Sequence, residues 1–303
     1  MAVVLVATSS GFRTFTAPGE GEVELAGRRV WAVAPESGGT CVAVVDGNEI
    51  WRRDVTGAWS KVATASIGLQ SIASIDGTLF CGGMDEAEIV RIPAGGQPER
   101  LGGLDKVQGR SEWFSSGPPL GVRALTATAD FSAVLAAVHV GGIPLSLDRG
   151  ETWKSTIPIA FDVHDVRAHP SLVHIVAAAT AVGLCVSQDG GRNWNVFSDG
   201  LEVKGSLAVA VLHEEVIFSI QDGPFAKRSQ VWRWRIDGKR LEHVRDGLPE
   251  WMDGKVDTGK IVTGRGRAAI ADQCGNLWLS REGSSGWVCI ARGLPDVSGL
   301  LVL

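Results

Sequence analysis

The chain has 303 residues and no tyrosine, although it holds eleven tryptophans and nine phenylalanines. That absence removes every mechanism requiring a phenolic nucleophile or acid. No run of eighteen apolar residues occurs, so no membrane-spanning helix is expected. The opening MAVVLVATSSGF has too short an apolar stretch and no basic leader for a secretory signal. Cysteine is sparse and odd in number: Cys41, Cys81, Cys185, Cys274 and Cys289 are scattered without a CxxC pair. That usage suits reduced thiols in a cytoplasmic protein better than a disulfide frame or a thiolate zinc site. GxSxG, HExxH and P-loop motifs are all missing, which leaves no strong nucleophile or phosphate-loop signature. Basic residues are outnumbered by acidic ones, 29 to 34, giving a formal charge of −5. A nucleic-acid or anionic-membrane partner would want a basic face, so neither is expected.

What is present in excess is glycine. Thirty-nine of the 303 residues are glycine, nearly twice the usual share of about 7%. With 45% hydrophobic and 21% charged residues the chain supports a folded core. Many glycines between short apolar runs predict tight turns joining many strands, hence an all-β protein. A repeat explains the length. SLDRGETW (Ser146 to Trp153) and SQDGGRNW (Ser187 to Trp194) both fit S-x-D-x-G-x-x-W. SREGSSGW (Ser280 to Trp287) is a weaker copy, with Glu282 and Ser284 replacing the aspartate and glycine. RRDVTGAW (Arg52 to Trp59) keeps Asp54 and Trp59 in register.

The same order of strands and turns recurs upstream of each copy, with units beginning near Val30, Leu69, Val122, Val163, Ser206, Thr258 and Val297. Their spacing of about 43 residues is the period of a four-stranded propeller blade. The last unit holds only VSGLLVL, and VVLVAT, GFRTF and EVEL at the other end supply its missing strands. The expected fold is therefore one domain over residues 1–303. It is a seven-bladed β-propeller of four-stranded antiparallel blades, the last closed by N- and C-terminal strands so that the ring has no free edge. In the repeat, the aspartate accepts backbone N–H bonds within a hairpin, serine caps the same loop and glycine supplies a positive φ. Tryptophan wedges between blades. Ser146, Asp148, Gly150, Trp153, Ser187, Asp189, Gly191 and Trp194 are thus expected to specify the fold rather than a site.

These motifs resemble the Asp-box, or BNR repeat, of sialidases, family-74 type glycosidases, sortilin-like receptors and photosystem assembly factors. The stretch from RSEWFSSGPP to GLCVSQDGGRNW is most similar to bacterial BNR-like repeat proteins. The resemblance implies a propeller with its Asp-box hairpins on the face opposite the ligand site. It does not imply sialidase chemistry here, because that reaction needs a tyrosine.

Side chains at the start of each inner strand converge on the axis at the ligand face. Trp31, Gln70, Arg123, His164, Leu207, Gly259 and Ser298 fall at that ring position. Arg123 and His164 are the adjacent pair able to carry positive charge, and they are expected to mark a pocket unless Asp162 or Asp165 pairs with them. His139, before Gly141 and Gly142, should lie beside His164, at a place where similar propellers often carry an acid. His164 and His139 are candidate general bases, with Glu112 as a carboxylate partner. Arg123 would hold a carboxylate or phosphate of the ligand. Asp165 follows His164 and should point the opposite way along the strand. A metal at His139 and His164 would need a third ligand, with Glu112 or Asp165 available, and no cofactor is otherwise expected. Long loops on the same face add Arg110, Trp113, Phe114 and Pro118-Pro119, then Trp251 and Asp253, while the segment from Gln221 to Gln230 adds Asp222 and Arg228. Exposed aromatics beside charges on such loops favour binding, unless Trp113 and Trp251 fold down as lids.

The expected function is a cytoplasmic, monomeric propeller that binds a small polar ligand (carboxylate-, phosphate- or sugar-like) in its axial pocket. Hydrolase or lyase chemistry of the glycosidase-like kind would use histidine and carboxylate. An ordinary glycosidase needs two carboxylates facing across the substrate. The alternative is a non-catalytic interaction or assembly propeller.

Overall fold

Short apolar runs punctuated by glycine and aspartate turns favour antiparallel hairpins. The computed structural model folds this way, and it describes residues 2–19, 21–113, 119–223, 225–238, 240–282 and 286–303. Seven sheets succeed one another along the chain as a seven-bladed β-propeller of four-stranded antiparallel blades. Blades 1 to 6 span residues 30–64, 69–101, 122–155, 163–197, 209–243 and 261–291. Blade 5 carries an additional short strand, Met252–Asp253, paired with its third strand. Blade 7 is composite: Val297–Val302 is its inner strand, and Val4–Thr8, Gly11–Phe15 and Glu22–Glu24 complete it. Among the described residues, no helix is long and apolar enough to cross a membrane.

Neighbouring blades pack face to face, which buries both sides of each central strand. Cys41–Val45, Val134–Val138 and Val176–Thr180 are buried at every position. This explains why they read as unbroken apolar runs without alternation. The outermost strands, such as Glu22–Glu24, face water. Each of the seven hydrophobic clusters lies between one blade and the next. Trp153 sits in the cluster between blades 2 and 3, and Trp287 in that between blades 5 and 6.

The repeated turns have the expected mechanics. Ser146 Oγ accepts the Gly150 N–H at 2.7 Å, and Asp148 Oδ1 accepts the Thr152 N–H at 2.8 Å. Ser187 and Asp189 repeat these bonds to Gly191 and Asn193 at 2.8 and 2.9 Å. Gly150 and Gly191 sit at φ of 92° and 90°, where a β-carbon would be strained. In the copy from Arg52 to Trp59, Asp54 Oδ1 still accepts the N–H groups of Thr56 and Ala58. Ser284 of the copy from Ser280 to Trp287 lies outside the described residues.

Two seams close the ring. Within blade 7, Val4 pairs with Val302 and Leu5 with Leu301. Between blades 7 and 1, the Glu24 carboxylate receives both ends of the Arg53 guanidinium at 2.8 and 2.9 Å, with Thr14 and Trp59 each donating at 2.6 Å. Burial alone would raise the Glu24 pKa, but these donors hold it below its ordinary value.

The inner strands begin at Val30, Leu69, Val122, Val163 and Val297, as expected. In blades 5 and 6 they begin at Val209 and Ile261, three residues beyond Ser206 and Thr258. In blade 5, Ser219 Oγ accepts the N–H groups of Leu207 and Ala208, which delays the backbone ladder.

Candidate functional site

A β-bulge recurs where the chain enters the ring. In blades 1 to 4 the pairing register skips the second residue of the inner strand, and in blade 7 it skips Ser298. The skipped residues are Trp31, Gln70, Arg123, His164 and Ser298. A bulge residue is released from the ladder and its side chain is re-aimed, so this one device sets the direction of every ring residue in those blades. The inner strands enclose an axial channel of about 640 Å³ whose lining includes Trp31, Gln70, Arg123, Thr258 and Ser298.

Arg123 does not present a free guanidinium to that channel. Its Nη2 donates to Asp257 Oδ1 at 2.6 Å and to Thr258 Oγ1 at 2.9 Å. Thr258 Oγ1 in turn donates to the His164 carbonyl at 2.9 Å. The link joins blades 3 and 4 to the entry of blade 6 across the axis. Burial would raise the Asp257 pKa, yet the adjacent Arg123 charge and the Thr258 N–H carry it below the usual carboxylate range.

The expectation that Arg123 and His164 share the axial channel requires correction, because the His164 ring does not contribute to the channel wall. Its Nδ1 meets the Ser206 carbonyl at 2.8 Å, and its Nε2 faces Asp162 Oδ2 at 3.6 Å. His139 Nε2 approaches Asp162 Oδ1 at 3.5 Å from the other side. The two rings lie 6.2 Å apart between centroids. His139, Asp162 and His164 thus form one cluster where blades 3 and 4 meet, with a donor atom from each within 4.8 Å of the others. Both histidines are buried, whereas the Asp162 side chain is 36% exposed and opens the cluster to solvent.

Local structure explains the cluster. His139 leaves the second strand of blade 3 into a tight turn in which Val138 and Gly142 bridge. Gly142 has φ of 75°, and a β-carbon there would lie 2.9 Å from the Ile157 carbonyl oxygen. Asp162 follows a short 3-10 turn, Ile159–Phe161, and takes a left-handed φ of 47° immediately before the inner strand. Its pKa is lowered chiefly by the neighbouring His164, against burial, with further help from His139 and Arg123. The His139 pKa is lowered by burial, which outweighs the pull of Asp162, and the Arg123 and His164 charges act in the same direction as burial. A neutral imidazole beside an ionised carboxylate offers lone pairs to a proton, a hydrogen-bond donor or a cation.

The remaining expected residues lie apart from the two histidines. Asp165 is fully buried, accepts the N–H groups of Val166 and Val209 and pairs with Arg167, so it faces away from the cluster. Burial raises its pKa. Asp162, rather than Glu112 or Asp165, is the third member beside the two histidines. Glu112 is exposed on the short turn Arg110–Glu112. Trp113 is buried in the core between blades 2 and 3, with the Arg110 guanidinium 4.8 Å from its ring centre, so it packs as a lid. Phe114 and Pro118 lie outside the described residues. A second group gathers on blade 5. Arg228 pairs with Asp222 at 3.1 Å, stacks 4.1 Å over Trp251 and sits opposite Asp253 in the strand register. Asp162, expected as one of two alternative partners of Arg123 and His164, stands beside His164 and His139. Asp257 and Thr258 are the residues that the ring position missed.

No protein-family model and no curated protein sequence matches the chain. Solved structures do match, at low identity. An ancestral GH74 enzyme aligns over 99% of this chain and 40% of its own, with 11% identity and a TM-score of 0.65. The periplasmic gluconolactonase PpgL of Pseudomonas aeruginosa aligns over 100% of this chain and 99% of its own, with 13% identity and a TM-score of 0.67. A putative 6-phosphogluconolactonase from Bacteroides uniformis does so over 100% and 99%, with 11% identity and a TM-score of 0.68. The chain therefore spans well under half of the GH74 enzyme and nearly all of the two lactonase-like propellers. At these identities the likeness establishes the fold.

Proposed function

We propose that this propeller hydrolyses a small polar ester, of the cyclic (lactone) type, and that the His139–Asp162–His164 cluster activates the attacking water. The observation that carries the reading is the convergence of three proton-accepting or lone-pair groups within 4.8 Å of one another, with the Asp162 side chain 36% exposed. Ester hydrolysis needs one water-activating group and stabilisation of a developing oxyanion. Glycoside hydrolysis usually needs two carboxylates across the scissile bond, and this cluster contains one. Two of the structural neighbours are described as gluconolactonase and putative 6-phosphogluconolactonase, which agrees with that choice of substrate class. We read the S-x-D-x-G-x-x-W turns as BNR copies that fix the scaffold. The net charge of −5 favours a small-molecule partner over nucleic acid.

The test is a pH-stat panel of six-membered sugar lactones, phosphorylated and not, against aryl glycosides. Turnover of the lactones alone supports the reading; turnover of the glycosides alone overturns it. A non-catalytic interaction propeller is the second reading, and one observation favours it. Phe225 is 94% exposed beside the Asp222–Arg228–Trp251 group, an unusual position for so large an apolar side chain.

A further inference from the structure

The imidazole–carboxylate distances in the cluster are longer than those of the close ion pairs. Arg123 meets Asp257 at 2.6 Å, Arg53 meets Glu24 at 2.8 Å and Arg100 meets Asp105 at 2.8 Å, while the loosest surface pairs, Arg233–Glu215 and Arg245–Glu250, stand at 3.7 and 3.9 Å. Asp162 instead stands 3.5 and 3.6 Å from the two Nε2 atoms, one on each oxygen. Those gaps exceed a charge-assisted hydrogen bond of about 2.7–2.9 Å. They are close to the ligand-to-ligand spacing of about 3.3 Å that tetrahedral bonds of about 2.0–2.1 Å impose.

Two further features agree. Asp162 Oδ1 is buried without a hydrogen-bond partner among the described residues. His164 is held by its Nδ1 against the Ser206 carbonyl. In that arrangement Nδ1–H donates and the Nε2 lone pair faces the cluster, as the outer shell of a metal-bound histidine arranges it. The nearby Arg123 charge is matched by Asp257, which leaves the Asp162 charge available to a cation.

We propose that His139, Asp162 and His164 bind one divalent first-row transition ion, with zinc the reference case. Two imidazoles and a carboxylate suit such an ion better than calcium or magnesium, which prefer all-oxygen shells. Three protein ligands leave a position for water, whose ionisation near neutral pH supplies the nucleophile. The inference deepens the proposed hydrolytic reading and rests on the same cluster. Its test reads metal directly.

Chelator-treated protein is titrated with zinc by calorimetry and with cobalt by visible absorption. Wild type is expected to bind one ion per chain with tetrahedral cobalt bands. Asp162→Asn keeps a residue type that tolerates left-handed φ, and it should weaken binding at least about tenfold, as should His164→Ala, each with unchanged circular dichroism. His174→Ala, at an exposed position, should bind as wild type does. Absence of stoichiometric binding to folded wild type, or equal binding by Asp162→Asn and His164→Ala, overturns the proposal. Metal binding without lactone turnover leaves this inference standing and removes the hydrolase reading. Undiminished turnover by chelated protein that takes up no stoichiometric metal does the reverse.

Discussion

Replacing Arg123 by alanine should loosen the propeller across its axis. The guanidinium donates to Asp257 and Thr258, and Thr258 holds the His164 carbonyl, so one side chain couples blades 3, 4 and 6. The pair is neither a surface bridge nor a buried one, since the two side chains are 21% and 37% exposed. Exposed pairs contribute about 0–1 kcal/mol, and breaking a buried pair costs about 3–5 kcal/mol. An intermediate, partly screened position gives roughly 1–2 kcal/mol. For a domain of this size that is a fall in Tm of roughly 2–6 °C. The assay is urea unfolding of Arg123→Ala, Asp257→Ala and the double variant. The three changes should be non-additive, with a coupling of about 1 kcal/mol, because Asp257→Ala removes the charge that Arg123→Ala leaves unpaired. Strict additivity, or an Arg123→Ala variant as stable as wild type, would refute the cross-axis link.

Ser146→Ala should destabilise the protein by about 1–3 kcal/mol, since it leaves the buried Gly150 N–H without its acceptor; equal urea midpoints would contradict this. Glu24 predicts an acid limb. Its folded pKa is lowered, so its contribution is complete above the unfolded value of about 4.3 and is lost as pH falls through the folded value. Glu24→Gln should therefore cost stability at neutral pH and flatten the pH dependence below about 4.3. A variant with the same acid slope as wild type would show that the seam between blades 7 and 1 does not depend on that carboxylate.

The fold was legible because it is written several times over. Six whole apolar four-strand units, the S-x-D-x-G-x-x-W turns and the incomplete seventh unit each point to one closed ring. Five of the seven inner strands start where the apolar pattern begins. The late start in blade 5 depends on Ser219 accepting backbone N–H groups, which periodicity does not encode. The site was legible only in part. Aligning units found the bulge residues Arg123 and His164, and turn placement put His139 next to His164. The alignment did not show where their side chains go. Arg123 is occupied by Asp257 from a distant blade entry, a pairing set by ring closure alone. Asp162 reaches both imidazoles through a left-handed backbone angle that the sequence does not display. Trp113 looked like an exposed loop aromatic, yet it fills the core between blades 2 and 3.

The most direct test compares initial rates of six-membered lactone hydrolysis by wild type, Asp162→Asn and His174→Ala under one buffer and metal condition. The cluster reading predicts measurable turnover by wild type, an unchanged rate for His174→Ala and a loss of at least about 100-fold for a still-folded Asp162→Asn. An Asp162→Asn protein that hydrolyses the lactone as fast as wild type would contradict it.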